Sequence, residues 1–172
     1  MNRGHSILWL VVFGAAVWPL AAMEVPQTRQ EFVKAVTAGE GATRMEKLVV
    51  EREFDEIYRV LAVKSATCLD VQVRRSGFVG NQVEVSSSDY NPTLTRIGRN
   101  GAEFTLQVVH RPRGVGPSIP PGGLYVMAAD IRPLSKGRTK VVLYRPTIGF
   151  KKIVGSLKQW TAGENADCTK IK

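Results

Sequence analysis

The sequence has only two cysteines and two histidines in 172 residues; aromatic residues make up 8%, and 15 acidic residues face 24 basic ones. Each shortage excludes something. So little histidine leaves no material for a histidine-rich catalytic or metal centre. Two isolated thiols without Cys-x-x-Cys spacing exclude dithiol redox work and zinc ligation. There is no Walker loop, dinucleotide glycine fingerprint, His-Glu-x-x-His or calcium loop. No biased tract dominates, which excludes a collagen-like chain. What is present is an ordinary apolar fraction, 44%, enough for one globular domain and too much for a disordered chain.

The N-terminus carries the most specific local signal. Arg3 precedes an apolar stretch from Ile7 to Val17, followed by Trp18-Pro19 and the small pair Ala21-Ala22. This is the pattern of a secretory leader cut after Ala22. The alternative is an uncleaved anchor, but Ile7 to Met23 is only 17 residues and contains Pro19, short of the ~20 apolar residues that span a bilayer. The expected organisation is therefore a leader over 1–22 and a single domain over 23–172, soluble in the periplasm or secreted, with no membrane span after cleavage. In that oxidising setting Cys68 and Cys168 are expected to pair. The bond would tie the C-terminal tail to the end of an early helix.

Without Arg3 the mature chain keeps 23 basic against 15 acidic residues. Outside the cytoplasm such a surplus suits anionic lipid head groups, lipopolysaccharide or acidic polysaccharide better than nucleic acid. The basic residues are scattered (Arg74-Arg75, Arg96, Arg99, Arg111, Arg113, Lys151-Lys152), so a solvated surface explains them equally.

Thr28 and Glu31 have capping-box spacing and predict a short helix ending at Gly39. Alternation over Thr43 to Glu51 predicts a strand with Leu48 and Val50 inward. Phe54, Ile57, Tyr58, Leu61 and Cys68 mark a helical stripe over about Glu53 to Thr67, with Asp55 and Glu56 suited to its first turn. Six strands follow: Asp70 to Arg75, Gln82 to Ser86, Thr93 to Arg99, Ala102 to His110, Leu124 to Ile131 and Thr139 to Arg145. Asn100-Gly101 predicts a type I′ hairpin, and Ser135-Lys136-Gly137 a second one. After Pro146, residues Ile148, Ile153, Val154, Leu157 and Trp160 recur at helical spacing up to Gly163.

The expected class is α+β: a curved antiparallel sheet of about six to seven strands packed against a long C-terminal helix, with an early helix after the first strand. The run Leu48-Val49-Val50-Glu51-Arg52-Glu53-Phe54-Asp55-Glu56-Ile57-Tyr58-Arg59-Val60-Leu61, together with the closing helix, resembles the opening of the helix-grip superfamily of START-like, Bet v 1-like and polyketide-cyclase-like domains. The chain also resembles small exported bacterial proteins with a cysteine at the end of the early helix and another near the C-terminus. A departure is that Cys68 and Leu69 lead straight into strand pattern, where a second short helix usually follows in that superfamily.

Catalytic candidates are few. His5 lies in the leader, so His110 is the only mature histidine; it reads as a strand-end or binding histidine, because Ser118 lacks a nucleophile elbow. Asp130 stands in an otherwise apolar strand and is expected to be met by Arg132 or an arginine of a neighbouring strand. The long segment Arg111 to Gly123 is either a connection or a functional loop, with Arg111 and Arg113 placed for phosphate or carboxylate and Val115 and Ile119 as a small apolar lid. Between sheet and last helix, Phe104, Tyr125, Met127, Leu143, Ile153 and Trp160 either line a cavity or fill the core. The leading expectation is a non-enzymatic binding protein for an apolar or amphipathic anionic, lipid-like molecule. The second is an envelope interaction module with a solid core that meets a protein or acidic polysaccharide. The third is a cyclase-like or hydrolytic enzyme using Asp130 or His110. No cofactor and no metal are expected.

Overall fold

The computed structural model describes residues 24–111, 118–165 and 167–168; the expected leader, Arg113 and Val115 lie outside them. Helix α1 is Arg29–Ala38. Thr28 Oγ1 accepts from the Glu31 N–H at 3.2 Å, and the Glu31 carboxylate accepts from the Gln27 N–H at 2.7 Å, one residue before the cap. Gly39 ends the helix at φ 73°, its N–H closing back on Val36. Strand β1 is Thr43–Val50 and helix α2 is Phe54–Lys64, which widens into a π-helical turn over Ser65–Leu69. Strands β2 (Val71–Val79), β3 (Gln82–Arg96), β4 (Ala102–Arg111), β5 (Leu124–Ser135) and β6 (Arg138–Pro146) precede helix α3, Lys151–Ala162.

The architecture is α+β: one open, fully antiparallel sheet in the order β1-β6-β5-β4-β3-β2, with three helices. Helices α2 and α3 cover one face, where Phe54, Ile57, Leu61, Leu157 and Trp160 meet Phe104, Leu106, Ile131, Val141 and Leu143. Leu48 and Val50 pack inward against the same core. Helix α1 covers part of the other face, setting Phe32 and Val36 on Ala128, Val142 and Tyr144. Strands β5 and β6 are thus buried on both sides, which is why their apolar residues run consecutively rather than alternating.

Three expectations are corrected. The expected strand patterns form six strands, because Gln82 to Ser86 and Thr93 to Arg96 belong to one strand, β3, while Ile97 to Arg99 fall in the loop after it. The serines Ser86 to Ser88 and Asn91-Pro92 suggest a break, yet β2 pairs only as far as Tyr90. Pro92 therefore has a partner strand on one side alone, a place where a sheet admits proline. Second, the closing helix is not long. It has 12 residues, about 18 Å at 1.5 Å per residue, and shares its cover with α2. Phe150 (φ 53°) and Gly163 (φ 92°), both left-handed, bracket it, and Ile148 remains outside and 78% exposed. Third, the β3–β4 connection is a five-residue loop, Ile97 to Gly101, closed by the Ile97 N–H on the Gly101 carbonyl at 2.7 Å. Its left-handed residue is Gly98 (φ 58°), not Asn100 or Gly101. The β5–β6 hairpin does turn at Lys136-Gly137, with Gly137 at φ 73°.

Cys68, in the π-helical turn, is bonded to Cys168 across 100 residues of chain, with an S–S length of 2.05 Å. Arg52 holds the C-terminal end of α3 as well: its carbonyl accepts from Thr139 Oγ1 at 2.7 Å, and its guanidinium donates to the Trp160 carbonyl at 3.2 Å. The last helix is therefore tied to the sheet by an arginine and to α2 by a disulfide.

Candidate functional site

Five of the residues expected to touch a ligand converge: Phe104, Met127, Leu143, Ile153 and Trp160 all lie in the core between the sheet and α2 and α3. They are closely packed there. Between Leu48, Leu61, Phe104, Ile131 and Leu157 the side chains leave a void of about 10 Å³, with Thr161 on its wall. That is room for one water at most, whereas a drug-sized ligand takes about 300 Å³ or more.

Tyr125 stands on the opposite face, stacked on Phe32 with ring centroids 6.1 Å apart. Two positions separate it from Met127, and a regular strand would put both on one side. The register of β4 against β5 shifts between Leu106 and Gln107, so that Leu106 faces Met127 and Gln107 faces Tyr125. Val126 is the extra residue of a bulge, and the two flanking side chains part to opposite faces. Gln107 then reaches across and donates to the carbonyls of Pro121 (2.9 Å) and Gly123 (2.8 Å). A Cβ on Gly123 would lie 2.5 Å from the Val108 backbone, so only glycine admits this approach of loop to strand.

Asp130 also lies on the α1 face, where its partner comes from the helix. Arg29 donates to Asp130 Oδ1 at 2.5 Å and lies 3.4 Å from Glu103, while Tyr144 donates its hydroxyl to Asp130 Oδ2 at 2.9 Å. Arg132, the partner expected from the sequence, turns to Glu103 at 3.8 Å and to the Ala102 carbonyl. Burial first, then the Asp130 hydrogen bond and charge, push the Tyr144 phenol up to about 12. The cluster holds α1 onto the sheet through both Arg29 Nη atoms, while Arg29 Nε is buried without a hydrogen-bond partner.

Arg111 ends β4 and donates to Asp89 at 3.1 Å; Asp89 also accepts from Gln72 at 2.7 Å. His110 points to the other face, its Nδ1 2.9 Å from the Ser88 hydroxyl, and the pair is exposed. A serine–histidine contact of this kind needs a carboxylate to orient the ring and donors for an oxyanion; neither appears beside it among the described residues.

A second charged cluster joins β1, β6 and α3. Arg145 donates twice to Glu46 Oε1, once at 2.8 Å and once through Nη2, while Lys158 reaches Oε2 at 2.5 Å and Arg44 lies at 3.1 Å. Burial pulls the Glu46 carboxyl upward, but the hydrogen bonds and charges of Lys158 and Arg145 outweigh it and leave the group below its usual range. Three cations share one carboxylate.

The feature the sequence reading passed over is the β2–β3 hairpin. Past the last β3–β4 pair, Ser87 with Arg111, β3 continues from Ser86 to Gln82 with β2 as its one partner strand among the described residues. Five residues at about 3.3 Å each make an arm about 17 Å long. Phe78 directly faces Val83, and Val85 follows on the same face; they are 81%, 61% and 60% exposed. The available signal was the alternation of Val83 and Val85 together with Gly80-Asn81 as a hairpin turn, Gly80 having φ 61°. The strand expected from the sequence ends at Arg75, whereas β2 runs on to Val79 and takes in Phe78.

No protein-family model and no curated protein matches this chain. Among the described residues, no group of three or more His, Cys, Asp or Glu is placed to hold a metal ion, and no helix is long and apolar enough to cross a membrane.

Proposed function

We propose that the chain is an exported, non-enzymatic interaction module built on a helix-grip scaffold, acting through its surface rather than through an interior ligand. The scaffold reading draws support from α2 and α3 lying together on one face of the antiparallel sheet and from the pairing of the first strand with the last. The observation that carries the functional reading is the contrast between the two apolar regions. Inside, Phe104, Met127, Leu143, Ile153 and Trp160 are buried in the core, where Phe104 and Leu143 border a void of only about 10 Å³; outside, Phe78, Val83 and Val85 remain open. An exposed apolar face on a monomer is a mark of an interaction site.

Native mass spectrometry of the secreted protein tests this reading. The expected species lacks residues 1–22, contains one disulfide and carries no bound small molecule. A stoichiometric lipid that leaves only on unfolding overturns it in favour of an interior ligand site. Hydrolytic turnover that disappears in Ser88→Ala and His110→Ala overturns it in favour of an enzyme.

A further inference from the structure

The β2–β3 arm has two properties that coincide on one face. Reading from its tip toward the sheet, that face presents Phe78 opposite Val83, then Ser76 opposite Val85, then Arg74 opposite Ser87, then Gln72 opposite Asp89. The apolar side chains are distal and the cation follows behind them. Arg74 donates to Gln72 at 3.1 Å, a neutral partner that leaves its charge uncompensated, whereas Asp89 is occupied by Gln72 and Arg111. Arg75 adds a second exposed cation on the reverse face. The only carboxylate between Val71 and Ser88 is Glu84, opposite Gly77 on that reverse face, away from Phe78.

Resting on the reading of the chain as a surface-acting module, we propose that this arm docks on the surface of an anionic phospholipid bilayer. Phe78, Val83 and Val85 enter the boundary between head groups and acyl chains, while Arg74 and Arg75 meet phosphates. An apolar face that lies in the interface needs to sink only about 5–10 Å. One cross-strand pair after another advances about 3.3 Å, so the distance from Phe78 back to Arg74 is about 13 Å, the spacing that puts the guanidinium at head-group level when the ring is below it. Charge complementarity selects the partner: an apolar groove on another protein has no need of a cationic collar, but an anionic membrane rewards one with about 1 kcal/mol per basic residue, roughly fivefold in binding for each arginine.

The test uses the full mature chain and vesicles of phosphatidylcholine alone or mixed equally with phosphatidylglycerol, read by co-sedimentation. The expected result is binding to the anionic vesicles at least tenfold tighter than to the neutral ones, weakened as salt approaches ~0.5 M. Phe78→Ser with Val83→Ser should lose binding at least tenfold, and Arg74→Glu with Arg75→Glu should erase the preference for anionic lipid. Because all four side chains are exposed, circular dichroism is expected to be unchanged. As a second readout, Phe78→Trp should shift its emission to the blue when anionic vesicles are added. Binding that is unchanged in both double variants, or no binding at all, overturns the proposal. A concentration-dependent dimer that Phe78→Ser with Val83→Ser abolishes, without vesicle binding, overturns it in favour of a second copy of the chain. A lipid found inside the protein by native mass spectrometry overturns the surface-acting reading instead, whatever the vesicles show.

Discussion

Arg29, the first residue of α1, holds Asp130 in the middle of β5 through a hydrogen bond of 2.5 Å, one hundred and one positions along the chain. It is the main polar link between α1 and the sheet. Arg29→Ala should lower the unfolding free energy by about 2 kcal/mol, because a charge-assisted bond is lost and Asp130 keeps only Tyr144. Asp130→Ala should cost a similar amount, and the double variant less than the two together. Strict additivity in chemical denaturation would show that the pair contributes nothing.

Glu46 links three elements, so its charge should set the acid limit of the fold. Glu46→Gln keeps the shape but leaves Arg145, only 8% exposed, and Lys158 without an anion. The expected cost near neutral pH is about 2–3 kcal/mol. The carboxyl lies below its ordinary 4.5 in the folded state. Its stabilisation is therefore complete above that value and is lost as pH falls through the folded one. The difference in stability between wild type and Glu46→Gln should shrink on acidification below 4.5, and a constant difference would assign the loss to packing.

At alkaline pH the relevant group is Tyr144. Its phenol is raised from 10 to about 12, so its contribution is fully present below 10 and disappears as pH rises toward 12. Tyrosinate absorbance should show a late step near 12 that is missing in Tyr144→Phe. If that variant retains the late step, another tyrosine is its source, such as Tyr90, whose phenol burial also raises.

Reduction of Cys68–Cys168 should be costly. The loop it closes spans 100 residues, for which the chain-entropy account gives about 4–5 kcal/mol. Dithiothreitol, or Cys68→Ala with Cys168→Ala, should lower the denaturation midpoint accordingly, with the first effects on the tail after α3. A shift under about 1 kcal/mol would mean that the reduced unfolded chain is itself compact.

Local chemistry made much of the fold legible. The Thr28 cap, Gly39, the inward Leu48 and Val50, the stripe Phe54-Ile57-Leu61 and the turn at Lys136-Gly137 depend on neighbours a few residues away, and each is where the pattern puts it. The site was less legible. Tyr125 and Met127 share a parity in sequence and lie on opposite faces in space, because a bulge is decided by the pairing of β4 with β5. Asp130 announces a need for a cation, but the chain offers Arg132 and strand arginines as well as Arg29 of α1, which is the one that meets it.

By itself the sequence determined the α+β class, the placement of most helices and strands, and the pairing of its only two cysteines, since capping, periodicity and thiol count are properties of the chain. Tertiary structure alone decided that Arg29 rather than Arg132 meets Asp130, that Glu46 gathers Arg44, Arg145 and Lys158, and that Phe78 and Val83 stand free beyond β4. The physical reason is that partnership and exposure depend on where a strand's neighbour ends. Residues dozens of positions away in the chain set that limit.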